Sequence, residues 1–113
     1  MHEYSIVQAL LERVDAEAGS RGATAVHRLS VRIGELAGIE PDLLATAFAT
    51  FRERTVCARA TLEITPIDAR WECPRCGRAL ARGDVLSCPT CNLPARLVQG
   101  DEIVLDRIEM EVA

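Results

Sequence analysis

From His2 to about Ala18, apolar residues recur at Ile6, Val7, Leu10, Leu11 and Val14. Spacings of three and four place them on one stripe of a helix, which Gly19 and Gly22 then stop. Between Ala25 and Ile33 the period changes to two, with Leu29, Val31 and Ile33 alternating with Arg28, Ser30 and Arg32. That pattern predicts a half-buried strand, on which His27 shares the parity of Leu29 and Val31 and is expected to be partly buried and hydrogen-bonded. Residues 34–39 read as a loop, and Glu40-Pro41-Asp42 as a helix entry, with Pro in the first turn and acids at the positive end of the dipole. A second helix then runs to about Arg54. Its expected buried stripe is Leu44, Phe48 and Phe51, flanked by Leu43 and Ala47 and packed on the apolar face of the first strand. Thr61 to Ile67 is β-branched and alternating, a second strand ending at Pro66 or shortly after, with Cys57 as a small buried hydrophobe near its start. Ile103 to Val112, where Ile108, Met110 and Val112 alternate with Arg107, Glu109 and Glu111, predicts a third strand.

The composition changes between Trp71 and about Gln99. This stretch holds three of the five prolines and few larger apolar residues, among them Leu80, Val85 and Leu86. So short a segment cannot fold by burial alone and needs a staple. The expected fold is α+β: a small two-helix, three-stranded sheet domain (residues 1–69 plus 101–113) into which a zinc-ribbon-like four-cysteine module (residues 70–100) is inserted.

The staple is visible as Cys73-Pro74-Arg75-Cys76 and Cys88-Pro89-Thr90-Cys91, two pairs separated by 11 residues. A Cys-x-x-Cys turn presents two sulfurs along one edge of a tetrahedron, and two such turns close the shell of a structural Zn²⁺. Gly77 and Asn92 follow the second ligand of each pair, where a positive φ is expected. Iron in a rubredoxin-like site or a cluster would accept the same four thiolates. With five cysteines in all, an odd count, a disulfide framework is the poorer reading.

Charge narrows the function. Thirteen Arg with no Lys, against 17 acids, give a net charge of -4 over 113 residues, the wrong sign for a general phosphate binder. Inside the module, four Arg against two acids are offset by the roughly -2 of a Zn(Cys)₄ centre, and Trp71 is its one aromatic. No nucleic acid is expected as a partner. There is no basic, apolar leader and no run of eighteen apolar residues, so no membrane is expected either and the protein reads as cytoplasmic. An enzyme is not expected, because the sulfur shell looks closed and no nucleophile has a base at a convincing spacing.

Met1-His2-Glu3 is a second place for a metal. A free α-amine, an imidazole and the amide nitrogens between them form fused chelate rings around a square-planar ion, a geometry that favours Ni²⁺ or Cu²⁺. With the helix pattern YSIVQALLERV, the segment VRIGELAGIEPDLLATAF and the CPRC and CPTC pairs, this MHE start resembles the HypA/HybF family of hydrogenase nickel-incorporation proteins over essentially the whole chain. The resemblance implies a nickel metallochaperone. Ni(II) as cargo would be held at Met1, His2 and Glu3 through the terminal amine, the His2 side chain and the amides of His2 and Glu3. Structural Zn(II) would be held by Cys73, Cys76, Cys88 and Cys91. It further implies delivery to the large subunit of [NiFe] hydrogenase together with the GTPase HypB, assistance to urease accessory proteins in some members, and room for a homodimer. Cys57 falls outside the family pattern, and Asn92 stands where Gly is frequent. The rival reading is a zinc-stabilised adaptor that scaffolds a maturation complex without carrying nickel.

Overall fold

The computed structural model describes residues 2–80 and 86–112. Helix α1 (His2–Ser20) buries Glu3, Val7, Leu11, Val14 and Ala18, while Ile6 and Leu10 lie half-buried at the margin of the stripe. Strand β1 (Ala23–Gly34) buries Leu29, Val31 and Ile33 as the alternation predicts. His27 departs from expectation. Val26 is also buried, and two successive residues, His27 and Arg28, are exposed, so the alternation slips by one between Val26 and Leu29. The slip turns His27 outward, with Nε2 3.5 Å from a carboxylate oxygen of Glu111.

Helix α2 (Pro41–Phe51) ends three residues earlier than the sequence suggests, and Arg54 sits at φ 66, a left-handed turn that no helix continues through. Leu44, Ala47 and Phe48 are its buried face. Leu43 is 54% exposed, and Phe51, expected inside, is 37% exposed and meets the Tyr4 ring edge-on, with centroids 5.4 Å apart. After the helix, the Arg52 guanidinium lies 5.6 Å from the Phe48 ring centre and donates to the Ala60 carbonyl, fixing the turn that carries Cys57. Cys57 is fully buried, and burial pushes its thiol up to about 11.

Strands β2 (Thr61–Ile67) and β6 (Ile103–Val112) flank β1 in a three-stranded sheet of order β2-β1-β6. A second sheet, absent from the sequence reading, has order β4-β3-β5: β3 (Arg70–Glu72) pairs antiparallel with β4 (Ala79–Leu80) and with β5 (Arg96–Gln99). Trp71 lies opposite Leu80 on one side and Leu97 on the other. Strands of two to four residues leave no periodic signal to detect.

The chain divides into two compact units. One comprises residues up to Arg32, Ile39–Thr65 and the chain from Val104 onward; the other comprises Ile33–Gly38 and Pro66–Ile103. The second unit is closed by the stretch read from sequence as a plain loop. Gly34 N–H donates to the Glu102 carbonyl (2.8 Å), Glu35 N–H to Ile67 (3.0 Å) and Leu36 N–H to Gly100 (2.7 Å), while the Glu35 carboxylate accepts from Ala69 N–H. These bonds tie the exit of β2 to the entry of β6. The approach is so close that a Cβ on Gly34 would stand 2.1 Å from the Gly100 oxygen.

Replacing Gly34 by Ala therefore forces backbone apart and is expected to cost roughly 1–3 kcal/mol, read as a lowered midpoint in thermal unfolding. Gly19→Ala is the control. That glycine is helical with nothing within 4 Å of an added Cβ, and the change should stabilise the protein by about 0.5–1 kcal/mol.

Candidate metal centre

Each cysteine pair sits in the same backbone device. Cys73 N–H donates to the Arg78 carbonyl (2.9 Å) and Gly77 N–H returns to the Cys73 carbonyl (2.9 Å). In the second pair Cys88 N–H donates to Leu93 (2.9 Å) and Asn92 N–H to Cys88 (2.8 Å). Gly77 (φ 74) and Asn92 (φ 55) adopt the left-handed conformation that the sequence calls for after each second cysteine. The first turn links β3 to β4. The second is framed by the bridge between Ser87 and Pro94 and by Ala95 N–H donating to the Leu86 carbonyl. Val85, counted among the apolar residues of the module, lies outside the described residues.

The two turns face one another and bring all four sulfurs within 4.8 Å. Cys73 and Cys88 are buried, Cys91 is half-buried and Cys76 is exposed. Backbone N–H groups aim at the sulfurs: Arg75 and Cys76 at Cys73 Sγ (3.4 and 3.5 Å), and Cys91 at Cys88 Sγ (3.4 Å). These donors favour thiolate. Led by the Cys76 N–H, they bring the Cys73 thiol down to about 6, and the Cys91 N–H lowers that of Cys88. Cys91 moves the other way, up to about 12, through burial first and then the crowding of the other three sulfurs. Four thiolates this close require a cation to balance them, and the donor set is four soft sulfurs with no water-facing carboxylate among them. That set fits a tetrahedral Zn²⁺. Among the described residues no other group of three or more ligating side chains converges.

At the chain start, Met1 and the His2 side chain lie outside the described residues. Glu3 is described, and its position was not foreseen. Its side chain is buried, and one carboxylate oxygen accepts the N–H of Glu40, the cap residue of α2, at 3.1 Å. That bond first, and the N–H of Glu3 itself second, hold the carboxyl down at about 2. One acid thus joins the first turn of α1 to the entry of α2, and the only hint in the sequence was the Gly-Ile-Glu-Pro-Asp entry itself. His27 joins neither the cysteine group nor any other ligand cluster.

Comparison with known proteins agrees along the full length. Residues 1–110 match the family model described as "Hydrogenase/urease nickel incorporation, metallochaperone, hypA". The hydrogenase maturation factor HypA of Wolinella succinogenes is 43% identical over 114 residues, covering 98% of this chain and 96% of the relative. That of Shewanella oneidensis is 38% identical over 115 residues, covering 100% and 98%. Among solved structures, the solution structure of the Ni metallochaperone HypA from Helicobacter pylori superposes with a TM-score of 0.74 at 30% identity, covering 98% of both chains. Another solution structure titled HypA protein gives a TM-score of 0.81 at 32% identity, covering 100% and 98%.

Because the Glu3 carboxyl is depressed from 4.5 to about 2 in the folded protein, its support for folding is complete above about pH 4.5 and fades as pH falls toward 2. Glu3→Gln should be less stable than the parent at neutral pH, and the gap should close below about pH 3 in denaturant melts. A gap of constant size would mean that the carboxylate does not anchor α2.

Proposed function

The chain belongs to the HypA family of hydrogenase/urease nickel-incorporation metallochaperones, and on that premise we propose that it carries Ni(II) at its amino end and hands it to [NiFe] hydrogenase during maturation. The observation that carries this reading is the division of labour between the first turn of α1 and the cysteine unit. The sulfur shell is complete without further ligands, whereas the first turn of α1 offers backbone nitrogens that no helical bond consumes, since the first four N–H groups of a helix lack partners within it.

In this reading Met1 supplies the terminal amine, His2 its imidazole and amide, and Glu3 its amide nitrogen. The Glu3 carboxylate is already engaged with Glu40 N–H, so it serves as the anchor of the site. Cys73, Cys76, Cys88 and Cys91 hold structural Zn(II), which shapes the module at residues 70–100. The GTPase HypB and the hydrogenase large subunit are the proposed partners, urease accessory proteins a further group, and the cytoplasm the proposed compartment. No described helix is long and apolar enough to cross a membrane. The protein acts by binding and transfer of a metal ion, with no bond of a substrate made or broken.

Amide and imidazole nitrogens bind nickel only after losing or lacking a proton, so acid releases the cargo. Extending the chain by two residues before Met1, or His2→Ala, should abolish the square-planar nickel absorbance while leaving zinc bound. In the parent, lowering the pH from about 7.5 to about 6 should release nickel, because imidazole protonates in that interval. Undiminished nickel binding in the extended protein would overturn the amino-terminal site, and partner binding that survives the extension in a protein that takes up no nickel would favour the adaptor reading.

Zinc is tested apart from nickel. Trp71 is the single tryptophan and lies on β3, so its fluorescence reports on the cysteine unit alone. Chelation of zinc or Cys88→Ser should shift Trp71 emission to the red while the helical signal of α1 and α2 persists.

A further inference from the structure

Two successive residues at the start of α1 hold opposite ends of α2. The Glu3 carboxylate accepts the N–H of Glu40, the residue before Pro41 at the entry of α2. The Tyr4 ring meets the ring of Phe51, the last residue of α2, edge-on at 87° with centroids 5.4 Å apart. The 11 residues of α2 lie between these contacts, a rod of about 16 Å at about 1.5 Å per residue. The far contact stands on a fixed helix end. Arg52 N–H caps α2 on the Phe48 carbonyl at 3.0 Å, and the Arg52 guanidinium donates to the Ala60 carbonyl at 2.7 Å. Burial is a poor account of the ring pair. Tyr4 is 43% exposed and Phe51 more than a third, while Val7 and Leu44 close the core without them, each fully buried. What the pair adds is a second point of attachment. Helices fray from their ends, where the backbone N–H groups lack partners within the helix. The Glu3 bond alone leaves the first turn free to pivot about it, and a second contact at the other end of the rod removes that freedom.

We infer that Tyr4 is a positioning residue of the nickel site: its ring, held on Phe51, keeps the first turn of α1 in one orientation, so that the ion meets a backbone already ordered from Glu3 onward. The inference rests on the carrier reading, in which the Glu3 amide nitrogen is a ligand and Tyr4 is its neighbour along the chain. Chelation by backbone nitrogens fixes the dihedrals of the residues that supply them. Ordering the backbone of one further residue at the moment of binding costs on the order of tenfold in affinity. A turn ordered beforehand escapes that cost. Tyr4 therefore acts through the backbone it holds, and the ring, rather than the hydroxyl, is the part that matters.

Nickel titration of the zinc-loaded full chain tests this, followed by release of the ion to excess free histidine, both read by the square-planar absorbance well below the unfolding midpoint. Tyr4→Ala and Phe51→Ala should each weaken nickel binding by about tenfold and speed its release, with zinc retained. Both positions are more than a third exposed, so the core survives either change, and alanine at position 4 is the better helix former. The two changes together should cost no more than either alone, since both delete one contact. Tyr4→Phe keeps the ring and should bind as the parent does. A fold that had only lost stability would hold nickel normally at this temperature. Parent-like affinity and release in Tyr4→Ala therefore overturn the inference, as do losses that multiply in the double variant, or a loss in Tyr4→Phe as large as in Tyr4→Ala. Each of these leaves the carrier reading standing, whereas a parent that takes up no nickel removes that reading and the inference with it.

Discussion

Four sulfur atoms within 4.8 Å of one another are the condition on which the cysteine unit rests. Its strands are two to four residues long, and of its larger apolar residues Leu86 and Val98 lie exposed. Burial at about 25 cal/mol per Å² cannot order such a segment against the conformational entropy of its backbone. The N–H groups aimed at Cys73 and Cys88 prepare two thiolates, and the proton retained at Cys91 marks the repulsion that a divalent ion would remove. Electrostatics here does what a hydrophobic core does in the helical unit, where Val7, Val14, Val26, Leu29, Val31 and Leu44 are each buried almost completely.

The start of the chain is organised by a different bond. Glu3 fixes the first turn of α1 to the cap of α2 through a carboxylate held ionised far below its usual range. In the proposed reading the Glu3 N–H exchanges its bond to its own carboxylate for the cargo while the bond to Glu40 stays, so that an exchangeable site is mounted on an anchored helix. The anchor is backbone-directed. It asks only for an amide at position 40, and the side chain there is free to differ.

Much of this was legible in the sequence because the signals were periodic or fixed in spacing. The helical stripe of α1, the strands β1 and β6, and the two Cys-x-x-Cys turns with Gly77 and Asn92 behind them stand where they were expected. What failed did so for local reasons. His27 was misplaced because one slip of the pleat reverses every parity beyond it, and nothing in Val26-His27-Arg28 announces the slip. Phe51 was counted as core although the helix ends there and Tyr4 covers only part of its ring. The sheet β4-β3-β5 has no period because its strands are too short to show one. The Gly34-Glu35-Leu36 closure was invisible because its partners, Gly100 and Glu102, lie more than sixty positions away.

In the proposed reading two metals share one small chain and must not exchange places, and raw affinity alone does not keep them apart, since it follows the same order of divalent ions from site to site. Donor type and geometry do. Four thiolates held at tetrahedral spacing by paired backbone turns suit zinc, and the same backbone bonds resist flattening to the square plane that nickel takes with strong-field nitrogens. In that reading the amino end offers the converse, nitrogen ligands with no sulfur among the ring-forming atoms. The kinetics divide along the same line. On that reading the sulfur cage, tied into three short strands, would release its ion with the fold of its unit, whereas terminal nitrogens would be open to competition from protons or a recipient's ligands. Selectivity and transfer would thus be secured by one arrangement, in which the sulfur cage keeps its metal and the terminal nitrogens surrender theirs.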